Sequence, residues 1–201
     1  MKQLLLLLSF SISISSATAQ FDANNAIYTT GELNLGNYIG FDMNLNYVYQ
    51  EKYSFKLGYT GNLRKPKSQP DDYSPGLLGV FLFGLDNPYD QLENYQIGAG
   101  RIYKLNEKGT IRLNASFGIG YTVIREPDNW ERINSGFLEE NYSWNYRKYN
   151  TVSFILNPKI EFPFSRFFGL TLSPMLQINK DRTYFGIGIG QMLGLLRERK
   201  N

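Results

Sequence analysis

Between Thr110 and Val123 the chain alternates without a break. Ile111, Leu113, Ala115, Phe117, Ile119, Tyr121 and Val123 share one parity, while Arg112, Asn114, Ser116, Gly118, Gly120 and Thr122 share the other. Successive side chains of a strand point to opposite faces, so this segment has one apolar face and one polar or very small face. A helix cannot use that pattern, because its apolar stripe repeats every three to four residues.

The pattern recurs often enough to define a whole fold. It predicts strands at Ile27–Leu35, Tyr38–Tyr49, Tyr53–Asn62, Leu92–Leu105, Thr110–Val123, Thr151–Phe162, Phe168–Ile178 and Tyr184–Leu193, eight in all. The connections differ in length. Gln50–Lys52, Asn106–Gly109 and Ser165–Phe167 are short turns. Gly36-Asn37 and Lys180–Arg182 are tight links. Two long segments, Leu63–Gln91 and Arg125–Lys148, follow the third and fifth strands and so share one end. Short turns at one end and long loops at the other are the pattern of outer-membrane barrels, and strands of about ten residues suit a tilted crossing. The apolar run Leu77–Leu85 offers an alternative. Paired with a strand from Phe137–Tyr146, it would raise the count to ten.

Export is the second expectation. Lys2, the apolar stretch Leu4–Leu8 and Ala17-Thr18-Ala19 read as a signal peptide over residues 1–19, leaving a barrel domain over 20–201. The chain has no Cys, which excludes a lipidated N-terminus and disulfides. It has no His, which removes the commonest general base and metal ligand. Net charge is +3, too mild for nucleic-acid binding.

Alternation leaves open which face looks outward. A secreted, soluble, lipocalin-like barrel would bury the apolar face. Lipid outside is favoured by the polar face, which is rich in Gly, Ser, Asn and Thr and suits a narrow lumen. That face also carries charges of both signs, Glu32, Asp42, Lys56, Arg112, Lys159 and Glu161, which a closed lumen would pair. Three residues resist the scheme. Arg101 falls on the outward parity and requires a bulge or snorkelling. Pro158 and Pro174 lie inside strands and suggest bulges.

With alternating runs such as Ile119-Gly120-Tyr121 and Phe185-Gly186-Ile187-Gly188-Ile189, the chain resembles the small eight-stranded outer-membrane barrels of Gram-negative bacteria, the OmpA/OmpX-like class. It departs from that class in ending on Arg197–Asn201 rather than an aromatic residue. The resemblance implies an all-β, antiparallel, up-and-down transmembrane barrel in the outer membrane. Roles found in the class include scaffold, adhesin, small-solute pore and, rarely, lipid-modifying enzyme or protease.

Two groups are candidate sites. The six luminal charges form either a path for small ions or a salt-bridged plug. In the second long segment, Trp130, Tyr142, Trp144 and Tyr146 form either a recognition surface or an extension of the barrel wall. Aromatic residues are frequent at binding hot spots. Asp71-Asp72 and Glu139-Glu140 lack the spaced ligands of a Ca²⁺ loop. The expectation is a non-enzymatic barrel without cofactor or metal. Its partners would be the bilayer and another outer-membrane or cell-surface protein. Alternatives are a narrow pore or a soluble binding barrel.

Overall fold

A computed structural model describes residues 24–81, 87–134, 136 and 138–196. The expected signal segment, residues 1–19, lies outside them. The strands are β1 (Ala26–Gly36), β2 (Ile39–Tyr49), β3 (Tyr53–Arg64), β4 (Asp90–Lys104), β5 (Arg112–Arg132), β6 (Tyr142–Leu156), β7 (Lys159–Phe162), β8 (Phe168–Ile178) and β9 (Thr183–Leu195). A short helix, α1, spans Gly76–Phe81. Every pairing is antiparallel. β1 pairs with both β2 and β9, and β4 pairs with β5, so the sheet closes on itself.

Nine segments make eight wall strands, because β6 and β7 are one strand interrupted at Asn157-Pro158. β5 pairs Phe117 with Leu156 and Asn114 with Lys159, the spacing of an unbroken ladder. β8 likewise pairs Leu176 with Leu156 and Leu172 with Ile160. Pro158 therefore faces Pro174 across a three-residue gap. Neither has an N–H to donate, so the ladder is missing there while its register is kept. The expected bulges are absent at both prolines. Arg101 needs none either. It pairs in register with Tyr53 near the short-turn end, and its guanidinium lies 5.4 Å from the Tyr103 ring.

The apolar parity faces outward. Leu33 is 72% exposed, Val152 69% and Ile189 61%, while Glu32, Asn44, Thr122 and Ser173 on the other parity are buried. This is the reverse of what a soluble barrel needs. The outward band is hydrocarbon-facing, and the chain spans a bilayer as a barrel whose sheet closes on itself. Register sorts the outward face of β3 to β6 into rows. Leu57, Ile97, Ile119 and Phe154 form one. Above it come Tyr59, Tyr95, Tyr121 and Val152, with the Tyr59 and Tyr95 rings 5.1 Å apart. Higher still lie Glu93, Val123 and Asn150, then Gln91, Arg125 and Lys148. The surface thus passes from aliphatic through tyrosine to charge within a few residues, as a membrane interface requires.

The inward face is packed amide against glycine. Asn44 lies across Gly58, where an added Cβ would fall 1.9 Å from its Oδ1. Asn94 covers Gly120 in the same way at 2.1 Å, Asn62 covers Gly40 at 2.3 Å and Asn34 covers Gly188 at 2.5 Å. The glycines leave room for a neighbouring strand's amide to lie flat, which fits polar side chains into a narrow eight-stranded lumen.

The apolar run Leu77–Leu85 supplies no strand among the described residues. Its described part is α1, and residues 82–86 lie outside the described set. The Phe137–Tyr146 region contributes the start of β6 instead of a separate strand. The count is eight.

Candidate functional site

Two places concentrate polar chemistry: the lumen and the long-loop end. All six luminal charges point inward and are buried. Glu32 sits on β1 and accepts hydrogen bonds from Lys159 Nζ at 2.8 Å, Thr171 Oγ1 at 2.7 Å and Ser173 Oγ at 2.5 Å. Asp42 Oδ1 lies 4.0 Å from the same Nζ. Asp42 also accepts from Thr60 Oγ1 at 3.3 Å and Gln96 Nε2 at 3.4 Å. Glu161 on β7 accepts from Arg112 Nε at 2.5 Å, the Tyr28 hydroxyl at 2.8 Å and Asn114 Nδ2 at 3.0 Å. Lys56 Nζ donates to Asn157 Oδ1 at 2.9 Å. Three carboxylates face three cations, so the interior is formally neutral. Each charged group has a hydrogen-bond partner, the condition under which buried charge is tolerated.

Apolar plugs bracket this polar layer. At the short-turn end Ala26, Tyr28, Val48, Ile102, Met192 and Leu196 pack together. Towards the long-loop end Tyr38, Leu92, Ile124, Ile155, Met175 and Tyr184 do so, with Tyr149 against them. Above the upper plug Arg64 pairs with Asp90 at 2.8 Å and stacks on Tyr38, its guanidinium 4.4 Å from the ring. Glu126 pairs there with Arg182.

At the long-loop end the expected loop Arg125–Lys148 is mostly strand. β5 continues to Arg132 and β6 begins at Tyr142, so a hairpin rises beyond the membrane and only residues 133–141 connect it. The seven steps from Arg125 to Arg132 correspond to about 23 Å along the strand. The ladder slips between Asp128 and Glu131. Asn129 has φ +54°, a left-handed conformation that Asn tolerates better than most residues. This bulge brings Trp130 opposite Trp144, their rings 5.4 Å apart.

The segment after β3 folds onto this hairpin. Tyr73 meets Trp130 at 5.7 Å and Trp144 at 6.1 Å, and Tyr142 meets Trp130 at 6.3 Å. Trp130 Nε1 donates to Ser68 Oγ at 3.2 Å, and Ser68 Oγ donates to the Pro127 carbonyl at 2.8 Å. Asn141 Nδ2 donates to the Asp72 carbonyl at 2.8 Å, and the Ser74 N–H donates to Asn141 Oδ1 at 2.7 Å. The Tyr142 hydroxyl donates to Asp72 Oδ1 at 2.7 Å, and that bond raises the tyrosine's pKa. Burial pushes Tyr73 up to about 12. The two long segments are thus one folded cap.

Of the four aromatics singled out in the sequence, Trp130, Tyr142 and Trp144 are half-buried within the cap and form its core. Tyr146 is exposed and accepts the Tyr89 N–H at 3.4 Å. They do not make an open face. The outward apolar surface of the cap lies elsewhere. On α1, Val80 is 64% and Phe81 70% exposed, and Leu138 at the hairpin tip is 50% exposed. α1 abuts that tip at Gly76, where a Cβ would fall 2.4 Å from the Glu139 carbonyl oxygen. Sequence reasoning missed Tyr73, Ser68 and Asn141 as cap residues. The adjacent Asp128-Asn129 pair was the one local sign of a bulge. Among the described residues no cluster of acidic side chains could hold a metal.

No family model and no curated protein matches this chain. Several solved structures are similar in outline. The attachment invasion locus protein Ail of Yersinia pestis shares 12% identity at a TM-score of 0.47, over 85% of this chain and 96% of that one. The N-terminal β-barrel domain of Pseudomonas aeruginosa OprF shares 12% at 0.48, over 86% and 98%. Neisserial surface protein A shares 9% at 0.43, over 84% and 94%. The closed ring, the apolar belt and the loops gathered at one end are those of a small eight-stranded outer-membrane barrel, and the bilayer it spans is the outer membrane.

Proposed function

We propose that this outer-membrane barrel is a non-enzymatic display scaffold, whose folded cap binds a protein at the cell surface in an adhesive or complex-forming role. The observation that carries the reading is the apolar tip formed by Val80, Phe81 and Leu138. Leu138 stands at the end of a hairpin whose β5 strand runs about 20 Å past the charged row that ends the lipid-facing surface, and α1 abuts that end at Gly76. Exposed apolar groups held on a rigid element mark contact sites. The cap's internal hydrogen bonds support a preformed surface, which lowers the ordering cost of binding.

The two apolar plugs and the paired interior speak against a conducting lumen. Planar-bilayer recordings are expected to show no conductance steps. The chain has no His, the commonest general base, and the reading therefore assigns it no catalytic step.

The test is affinity capture from gently solubilised outer membrane, comparing wild type with Val80→Asp/Phe81→Asp. A specific protein retained by wild type and lost from the variant supports the reading. If the variant retains the same proteins in equal amount, the tip is not the contact surface and the reading fails.

A further inference from the structure

On the outward face of β4, β5 and β6 two features lie one above the other. The lower is an apolar groove of about 310 Å³ whose walls include Tyr95, Ile97, Ile119, Tyr121 and Val152. The upper is the row Gln91, Arg125 and Lys148, in register across the same three strands and on the same parity. Tyr121 and Arg125 are four residues apart, about 13 Å along the strand.

The row is electrostatically incomplete. Arg125 and Lys148 are directly opposed, and like charges in that position destabilise a sheet. Glu93 lies 3.6 Å from Arg125 and answers one of them. Lys148 is exposed and makes no ion pair among the described residues. The site carries one net positive charge, with the Gln91 side chain beside it. The Arg125 side chain is 39% exposed, so the cap above leaves it accessible.

We infer that this wall binds one phosphate-bearing membrane lipid from the leaflet on the long-loop side. Its phosphate would lie between Arg125 and Lys148, and one acyl chain would lie in the groove below. A bridging phosphate offsets the opposed charges. Arg presents a fork that fits phosphate oxygens, and Lys adds a point charge. The groove is at hydrocarbon depth, where an acyl chain is the occupant the surroundings supply. This site depends on the barrel's membrane placement and not on the function proposed for the cap.

The experiment is native mass spectrometry of the detergent-solubilised barrel with lipid A, phosphatidylglycerol or phosphatidylcholine. One molecule of a phosphate-bearing anionic lipid should be retained, and phosphatidylcholine at least about tenfold less. Arg125→Gln/Lys148→Gln should lower retention by about tenfold or more. Val152→Trp, which fills the groove and leaves the cations, should lower it independently. Each variant must keep the mobility of the unboiled wild type on gels. Preference for lipid A over phosphatidylglycerol identifies a glycolipid, and the reverse a glycerophospholipid. Equal retention of phosphatidylcholine, or no loss in the double glutamine variant, overturns the inference. So does displacement of the lipid by millimolar inorganic phosphate, which would mark a simple anion site.

Discussion

Lys159→Met tests whether the luminal charges hold the barrel together. The substitution keeps the side chain's length and removes its charge. Lys159 is 1% exposed, so water does not replace what is lost. Glu32 would keep the hydroxyls of Thr171 and Ser173 but lose its cation. Asp42 would lose the Nζ at 4.0 Å. Two unit charges at that separation interact by about 4 kcal/mol at an effective dielectric near 20. The variant also leaves three carboxylates facing two cations. Removing one partner of a buried pair costs about 3–5 kcal/mol, a large part of the roughly 5–15 kcal/mol that holds a typical domain folded. Restoring neutrality with Glu32→Gln/Lys159→Met should recover about half of the loss. Asp42 accounts for the remainder. The assay is urea unfolding in phospholipid vesicles, followed by far-ultraviolet circular dichroism and by gel mobility without boiling. Tryptophan fluorescence is the wrong probe here, because both tryptophans of the chain lie in the cap. A Lys159→Met barrel within about 1 kcal/mol of wild type would refute the argument. So would a double variant that loses the full sum of the two single losses.

Three other outcomes follow from the same contacts. Gly190→Ala should cost about 1–3 kcal/mol, because its Cβ would fall 2.0 Å from the Gly31 carbonyl oxygen, whereas Gly31→Ala meets nothing within 4 Å and should be near neutral; urea midpoints in vesicles compare them. Amide hydrogen exchange should be faster at Ile160 and Leu172, whose pairing borders the opposed prolines, than at Gly118 or Ile119, measured by mass spectrometry in detergent. Tyr73 is an acid whose folded pKa is raised, so its contribution to the cap is complete below the unfolded value near 10 and is lost as pH rises to about 12. Tryptophan emission should shift over that interval while the far-ultraviolet signal of the barrel holds.

What the sequence revealed depended on how local the signal was. Strand positions and the inward placement of Glu32, Asp42, Lys56, Arg112, Lys159 and Glu161 follow from period two, a property of a single segment. Their partners do not. Lys159 and Glu32 meet across 127 residues, and only closure of the barrel brings β7 opposite β1. The Asn-over-Gly packing needs register as well as parity. Pro158 and Pro174 looked like two separate bulges because a chain read in order cannot show that they face each other. Leu77–Leu85 lacks alternation, and an unalternating apolar run is equally compatible with a short helix or a buried strand. The upper part of β5 was read as loop because Arg125–Arg132 is charged or polar apart from Pro127 and Trp130, which share a face only through the bulge at Asn129. Strand pairing there is maintained by the hairpin partner, not by an apolar face.

One face of one strand pair connects these results. The outward parity of β5 and β6 runs from Ile119 and Phe154 through Tyr121 and Val152 to Arg125 and Lys148, and lipid covers it as far as the charges. Beyond them the same parity resumes with Pro127, Tyr146, Tyr142 and Trp144, and the bulge at Asn129 turns Trp130 to join them. No lipid reaches that height, so these rings require another cover, which the segment after β3 supplies through Tyr73 and Ser68. The cap is therefore the barrel wall continued into water, with a polypeptide segment standing where lipid stood below. That explains why three of its aromatics serve as core. Val80 and Phe81, which the wall does not need, stay exposed outside that packing and are the surface proposed above to meet a partner.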